Sequence, residues 1–360
     1  MKQNKLNYLF IALTFIMVLA SCHKDKIVGN TGTPTSQRAG IYILNQGGLS
    51  DNNSSLTYYD YASKQLYPDL YATANSAPLG DVANDIGIYG GKMYIVVNNS
   101  NVVDVVNPKT ATLIKQDSLL TNHIGRLPRS MAFYKSNVFI TCYDGTVAVM
   151  DTTTLTISKS ITVGRNPEQL VVANNKLYVA NSGGYSGNFD NTVSVIDLST
   201  LTVTKTITVI TNPVGMAADS YGNVYVLSVG DFSNGPTGVA GMDIINSTTD
   251  VVASSPAVNL GFNVAITVQG DNVYYITGDN KVAVYNAKTQ TASQANFITD
   301  GTSITTPYAL TADPISGEVF VADATDYASD GVMYAFDKTG KKEYSIKTGI
   351  IPGKMILINK

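Results

Sequence analysis

Side chains that could catalyse a reaction are scarce in this sequence of 360 residues, which has two histidines, two cysteines and no tryptophan. A Ser-His-Asp arrangement would have one candidate base, His123. Cys142 has no histidine near it in the sequence that could activate its thiol. We therefore expect Cys142 to be a small buried residue, His123 to be structural, and the protein not to be an enzyme.

Metal and cofactor motifs are equally sparse. Asp323, Asp326 and Asp330 could offer oxygen ligands to calcium, but their spacing does not match an EF-hand loop. The two histidines, His23 and His123, cannot build a histidine-rich metal site. Because no phosphate loop or dinucleotide fingerprint is present, we predict neither a metal nor a cofactor.

The chain has four arginines, and three of them lie within 40 residues of one another. Arg126, Arg129 and Arg165 stand out in a protein with few charges, whereas Arg38 falls in a Gly/Thr/Pro/Ser-rich N-terminal segment. Guanidinium groups recognise carboxylates and phosphates, so the three could contact an anionic ligand group. The alternative is that they are solvated loop charges.

Overall composition excludes several classes of partner. Charged residues make up 14% of the chain, its net charge is -3, and it has no basic block. This balance argues against nucleic acid or an anionic membrane surface as the partner. The acids are almost all aspartates, which favour turns over helices.

Three short patterns recur in a fixed order, seven times each, and indicate an internal repeat. The first is an apolar run ending in Asp or Asn, at 58–60, 105–107, 149–151, 195–197, 244–246, 284–286 and 335–337. The second is an apolar-aromatic strand, at 41–43, 93–95, 138–140, 177–179, 224–226, 273–275 and 319–321. The third is Pro-x-x-apolar, at 128–131, 167–170, 213–216, 307–310 and 352–355, with Ile86 and Ile266 in the same place without the proline.

These repeats predict an all-β, seven-bladed β-propeller with four-stranded blades over residues 40–360. Residues 41–43 begin at a second-strand pattern, and residues 352–358 finish on a first-strand pattern. The C-terminal strand should therefore join the N-terminal blade and close the ring without a disulfide.

Blade geometry separates a structural end from a functional end. The Asp/Asn residues end third strands, at the end that we call the bottom, where we expect them to bond their own turns. Long loops between second and third strands fall at the top of blades 1, 4, 5 and 7, roughly 45–55, 181–191, 228–240 and 323–331. Two loop pairs should thus face each other across a central channel, where binding residues concentrate.

Aromatic residues among Gly, Ser, Asn and Asp in these long loops suit an amphipathic organic ligand. Alternatively, the rings fold back to cap the blade ends. With the arginines and two further tyrosines, the candidate ligand-binding residues are Arg126, Arg129, Tyr143, Arg165, Tyr185, Phe189, Phe232, Tyr308 and Tyr327.

The first 21 residues have the pattern of a secretory signal: two lysines, an apolar run and small residues before a cysteine. The sequence Leu19-Ala20-Ser21-Cys22 resembles a bacterial lipobox, which implies cleavage before Cys22 and lipid on that residue. Residues 22–39 are then the lipidated cysteine and a flexible tether. A membrane contact through the lipid alone is expected.

Residues 176–182 and 191–203 resemble a YVTN repeat, and residues 40–360 resemble the YncE-like propellers that carry it. Residues 41–47 and 55–60 are similar to the first blade of propeller lipoproteins from gut Bacteroidetes, a group that includes surface proteins capturing vitamin B12. This resemblance implies an outer-membrane, cell-surface lipoprotein that binds a corrinoid and delivers it to a TonB-dependent transporter. A periplasm-facing orientation stays open.

Two other functions stay open beside capture of a small amphipathic ligand. A protein-interaction or envelope scaffold would use the same top face without a small ligand. A lyase or hydrolase acting on a polysaccharide is disfavoured by the missing histidines and the scarce glutamates. One fold hosts many functions, so the choice depends on the site.

Overall fold

Seven four-stranded antiparallel sheets follow one another in a computed structural model that describes residues 38–184, 187–233 and 239–360. The predicted seven-bladed propeller is confirmed. The signal segment, Cys22 and most of the tether lie outside the described residues, as does Tyr185.

The strands of each blade run consecutively along the chain, except in the first blade. Blade 1 contains β1 (Arg38–Asn45), β2 (Ser55–Asp60) and β3 (Leu66–Tyr67), and is completed from the C-terminus by β30 (Pro352–Asn359). The helix α1 (Leu70–Asn75) follows β3.

Blade 2 contains β4 (Ala83–Tyr89), β5 (Lys92–Val97), β6 (Val102–Val106) and β7 (Leu113–Ser118), and a separate hairpin of β8 (Leu120–Thr121) and β9 (Ile124–Gly125) follows it. Blade 3 contains β10 (Pro128–Tyr134), β11 (Asn137–Cys142), β12 (Thr146–Asp151) and β13 (Ile157–Thr162). Blade 4 contains β14 (Pro167–Ala173), β15 (Lys176–Asn181), β16 (Thr192–Asp197) and β17 (Thr202–Thr208).

The last three blades repeat the same order. Blade 5 contains β18 (Pro213–Ala218), β19 (Asn223–Ser228), β20 (Gly241–Asn246) and β21 (Val251–Ser254). Blade 6 contains β22 (Ile266–Gln269), β23 (Asn272–Ile276), β24 (Val282–Asn286) and β25 (Thr291–Gln294). Blade 7 contains β26 (Pro307–Ala312), β27 (Val319–Asp323), β28 (Asp330–Phe336) and β29 (Lys342–Ile350). Among the described residues no helix is both long and apolar enough to cross a membrane.

The C-terminal strand closes the ring, as the sequence predicts. β30 pairs antiparallel with β1 from Arg38 opposite Asn359 to Asn45 opposite Pro352. Arg38 also forms an ion pair with the buried Asp313 at 2.6 Å, so it belongs to the propeller rather than to the tether where the sequence placed it. The physical reason is that β1 begins two residues before the boundary expected from the repeat.

Buried aromatic residues on the second strands hold neighbouring blades together. Tyr42, Tyr94, Phe139, Tyr178, Tyr225 and Phe320 are fully buried. Burying such a side chain contributes about 1.5–3 kcal/mol. Two of their hydroxyls reach the next blade: that of Tyr42 donates to the Pro108 carbonyl at 2.9 Å, and that of Tyr178 donates to Asp250 at 2.5 Å.

The Asp/Asn residues at the bottom are turn formers, which confirms the sequence prediction. Each of the seven accepts a backbone N–H two or three residues later at 2.7–3.0 Å; these residues are Asp60, Asn107, Asp151, Asp197, Asn246, Asn286 and Asp337. These carboxylates and amides are therefore used by the fold at the end opposite the long loops.

Candidate ligand-binding site at the channel mouth

A cavity of about 180 Å³ opens where the first strands of all seven blades begin, and we call this place the channel mouth. The first strands contact one another around the ring, so their starts encircle the central channel at the top. Each blade contributes residues to the lining: Gln46, Gly353 and Lys354 from blade 1, Asn84 and Asp85 from blade 2, Arg129 and Ser130 from blade 3, Glu168 and Gln169 from blade 4, Val214 and Val229 from blade 5, Phe262 to Ile266 from blade 6, and Tyr308 to Leu310 from blade 7.

The lining comes chiefly from the two variable positions of the Pro-x-x-apolar pattern. In six blades the pairing register shifts at these positions, as between Pro128 and Met131 or between Pro167 and Leu170. A β-bulge bends its strand and re-aims a side chain, which accounts for the inward position of both variable residues. The proline and the apolar residue build the blade, and the residues between them face the cavity.

Blades 1 to 4 make one side of the mouth polar. Arg129 donates to Glu168 through Nε at 3.0 Å and Nη2 at 2.8 Å, and its guanidinium lies 5.0 Å from the ring centre of Tyr143. The Tyr143 hydroxyl donates to the other carboxylate oxygen of Glu168. Both oxygens of Glu168 are therefore occupied by donors within the chain.

The second carboxylate of the mouth, Asp85, is also occupied. Its Oδ2 accepts from the Ser130 hydroxyl at 2.7 Å and from the Met131 N–H at 2.8 Å, and its Oδ1 accepts from the Ile86 N–H at 2.9 Å. Asp85 thus links the first strands of blades 2 and 3. The Lys354 ammonium lies 3.7 Å from Oδ1, and its side chain is 41% exposed.

Blades 5 to 7 make the other side apolar. Val214, Val229, Val264 and Leu310 line it, and Phe262 stands at its rim with 63% of its surface exposed. The mouth is therefore amphipathic across its width, with charged groups opposite aliphatic and aromatic ones.

An arc of aromatic rings extends the apolar side over the top face. Phe189 and Phe232, from the long loops of blades 4 and 5, have ring centres 4.7 Å apart, and Phe232 lies 5.5 Å from Phe262. Asn263 donates to the Tyr327 hydroxyl at 2.6 Å, and Tyr327 lies 6.0 Å from Tyr308. Phe262 and Asn263, in the crossover into blade 6, therefore contact both loop groups that were expected to face each other across the channel: the loops of blades 4 and 5 and the loop of blade 7.

Sequence comparison identifies the family of this chain. Residues 39–349 match the family described as a domain of unknown function, DUF5074. The chain belongs to the DUF5074 family. No curated protein matches the sequence.

Solved structures share the fold of this DUF5074 propeller at low sequence identity. A quinonprotein alcohol dehydrogenase-like protein from Bacteroides thetaiotaomicron is 17% identical with a TM-score of 0.66, covering 89% of this chain and 78% of its own. Hydrazine synthase from Kuenenia stuttgartiensis is 14% identical with a TM-score of 0.58, covering 69% of this chain and 74% of its own. Both likenesses concern the fold alone.

The expected cluster of three arginines needs a geometric correction. Arg126 is buried, pairs with Asp144 at 2.8 Å and donates to Thr146 at 2.6 Å. Arg165 pairs with Asp190 at 2.5 Å and braces the long loop of blade 4. Of the three, Arg129 lines the cavity. The reason is local, because each guanidinium has a carboxylate partner in its own or the next blade. The Arg165 side chain is nevertheless 51% exposed, as expected of a loop charge.

The remaining aromatic candidates divide into three groups. Tyr308 lines the mouth and donates to Gln46 at 3.2 Å, and Tyr143 supports Glu168 from behind Arg129. Phe189, Phe232 and Tyr327 form the arc above the mouth, where Phe232 and Tyr327 are 42% and 43% exposed. Tyr185 lies outside the described residues.

The residues considered for catalysis or metal binding lie elsewhere in the DUF5074 propeller. Cys142 is fully buried, as predicted, and burial raises the pKa of its thiol to about 12. His123 sits at the exposed tip of the β8–β9 hairpin. Among the residues that the structure describes, no three His, Cys, Asp or Glu side chains are grouped to hold a metal ion. Asp323 and Asp326 instead accept backbone N–H groups, and Asp330 pairs with Lys347.

Several lining residues were missed by sequence reasoning, notably Asn84, Asp85, Glu168, Val214 and Lys354. The signal that could have found them is the repeat itself. Within a pattern whose first and last positions hardly change, the two intervening positions hold a different pair in every blade. Positions that vary between nearly constant residues are typically not part of the core. In a ring of blades, the equivalent positions of all blades lie around the same channel mouth.

Proposed function

We propose that this protein binds a small amphipathic organic ligand at the channel mouth and the aromatic arc beside it. The observation that carries this proposal is the division of the mouth into a polar side from blades 1 to 4 and an apolar side from blades 5 to 7. Ligand sites in proteins combine apolar walls with a few placed polar groups. The exposed rings of Phe232 and Phe262 would add contact area at low entropic cost.

We further propose that the protein is a lipid-anchored outer-membrane protein facing the cell surface, and that it passes its ligand to a transporter. The lipobox-like tetrad ending at Cys22 and the resemblance to gut Bacteroidetes lipoproteins support this location. The same resemblance makes a corrinoid the first ligand to test. A corrinoid is larger than a cavity of about 180 Å³, so it would lie across the mouth against the arc, with one peripheral group inside.

A non-catalytic role fits the residues at the mouth. Its two carboxylates are held by donors within the chain, the Cys142 thiol is buried, and His123 lies on the exposed β8–β9 hairpin. The mouth therefore offers binding groups, with neither histidine nor cysteine among its lining residues.

Calorimetric titration of cyanocobalamin into the purified protein tests the proposal. Val214→Gln introduces a polar side chain on the apolar side of the mouth and should weaken binding at least about tenfold. Val203→Gln makes the same change on the outer strand β17, where Val203 is 38% exposed, and should leave binding unchanged. Absence of binding at micromolar concentration would remove the corrinoid, and equal loss in both variants would contradict a site at the mouth.

A further inference from the structure

The Lys354 ammonium brings unused hydrogen-bond donors to the mouth. Asp85 and Glu168 have both oxygens engaged by groups of the chain. The Lys354 ammonium has three N–H groups, and its nearest acidic partner in the described chain is at 3.7 Å. Because a distance of 3.7 Å exceeds hydrogen-bonding range, the donors of Lys354 are available to a ligand.

A second polar group that lines the mouth also lacks a hydrogen-bond partner among the described residues. Both the nitrogen and the oxygen of the Asn84 side-chain amide are buried and have no hydrogen-bond partner among the described residues. Asn84 lines the same cavity and is the neighbour of Asp85, which Lys354 approaches. A buried amide without partners destabilises the folded protein. A ligand group or water that forms hydrogen bonds with the Asn84 amide would remove this cost.

Gly353 lets the Gln46 side chain pack against the backbone next to Lys354. A Cβ at this position would lie 2.6 Å from the Gln46 Nε2, so any side chain here would collide with Gln46. Gln46 in turn accepts from the Tyr308 hydroxyl at 3.2 Å. The absence of a side chain at Gly353 therefore lets Gln46 tie blade 1 to blade 7 beside Lys354.

We propose, building on the function proposed above, that the ligand of the mouth carries a carboxylate, held by the Lys354 ammonium and the Asn84 amide, and an apolar body held by Val214, Val264 and Phe262. A single ammonium with one amide donor group matches two acceptor oxygens of one negative charge. A doubly charged phosphate would need a second cation, and the other cation of the mouth, Arg129, is already paired with Glu168.

Three matched probes test the carboxylate: the anion of 4-nitrophenylacetic acid, 4-nitrophenylacetamide and 4-nitrophenethylamine. They share an aromatic body and differ in charge. Equilibrium dialysis of the full-length protein in detergent, against empty micelles, measures each by absorbance. The anion should bind at least about tenfold more tightly than the amide, and the amine most weakly, because a hydrogen bond to a charged group is worth more than a neutral one.

Variants locate the effect. Lys354→Met keeps the aliphatic stem and should abolish the preference for the anion, and Asn84→Leu should weaken the anion several-fold. Lys347→Met is the control, since Lys347 is 73% exposed on the outer strand β29 and should change nothing. Thermal melting of each variant shows that the fold is kept.

The outcomes separate this inference from the function on which it rests. Equal binding of the three probes, or an unchanged preference in Lys354→Met, would overturn the carboxylate and leave the mouth as a binding site. Cobalamin binding without binding of the anion would do the same. Failure of every probe and of cobalamin would overturn both proposals.

Discussion

At the residue scale, equivalent side chains in the repeat have different partners and hence different energetic roles. Tyr94 and Tyr178 occupy the same place in blades 2 and 4, and both are fully buried. The Tyr178 hydroxyl donates to Asp250, which also pairs with Lys176 at 2.7 Å. The Tyr94 hydroxyl has no hydrogen-bond partner among the described residues.

Replacing each tyrosine by phenylalanine should therefore have unequal effects. Tyr178→Phe removes a charge-assisted hydrogen bond and should lower the free energy of unfolding by about 1–3 kcal/mol. Tyr94→Phe removes an unsatisfied hydroxyl and should be neutral or stabilising. Chemical denaturation of both variants measures the difference. Equal effects of the two substitutions would contradict a stabilising role for the Tyr178–Asp250 hydrogen bond.

Residue types could be predicted from the sequence more completely than their partners. The sequence draws attention to Arg126, Arg129 and Arg165, and of these three Arg129 lines the mouth. Their partners Asp144, Glu168 and Asp190 lie 18 to 39 residues away. The Arg129–Glu168 pair depends on how blades 3 and 4 stack, and the other two pairs depend on the paths of loops within one blade. The local pattern contains neither.

At the element scale, the bottom turns show why the Asp/Asn residues recur. A side-chain oxygen replaces a backbone acceptor in the turn, and Asp and Asn serve equally in shape. They differ in charge. The backbone N–H of Thr154 lowers the pKa of Asp151 below its usual range, and the Ser199 hydroxyl does the same for Asp197.

The lowered pKa values predict an acid-dependent part of the stability. A carboxyl whose pKa is lower in the folded state stabilises above its unfolded pKa of about 3.9, and this contribution is lost as the pH falls through the folded pKa. Asp151→Asn with Asp197→Asn keeps the turns, as Asn107 and Asn246 do in blades 2 and 5. The double variant should be less stable than the parent at pH 7, with the gap closing below about pH 4. A gap that widens with acid would contradict this reading of the turns.

Loop lengths could be predicted from strand and turn signals, but the crossover into blade 6 could not. The long loops of blades 1, 4, 5 and 7 lie where expected. Phe262 and Asn263, which complete the aromatic arc, belong to a crossover with no strand or turn pattern of its own. Their position follows from the placement of β22, and this is tertiary information.

At the scale of the whole molecule, one strand decides whether the ring is complete. β30 supplies the innermost strand of blade 1, and Met355 and Ile358 are buried on it. The same strand carries Gly353 and Lys354 into the mouth. The eight-residue strand that closes the ring therefore also contributes two residues to the proposed site.

Deletion of residues 350–360 should abolish cooperative folding, because it leaves one edge of β1 unpaired and exposes the cores between blade 1 and both neighbours. Deletion of Lys360 alone, which is exposed and follows β30, is the control. Thermal unfolding followed by circular dichroism compares the two. Unchanged melting of the longer deletion would contradict ring closure by β30.

The central claim is that a small ligand enters the channel mouth. Because the chain has no tryptophan, a single introduced tryptophan reports on one place. Tyr308→Trp places it at the mouth and removes the hydroxyl that contacts Gln46. Tyr221→Trp places it at a bottom turn and removes the hydroxyl that contacts Asp271. Cyanocobalamin and the anion of 4-nitrophenylacetic acid are titrated separately into each variant. At least one of the two compounds should quench the emission of the Tyr308→Trp variant saturably. The Tyr221→Trp variant should show only unsaturable collisional quenching. Identical behaviour of the two variants with both compounds would contradict binding at the mouth.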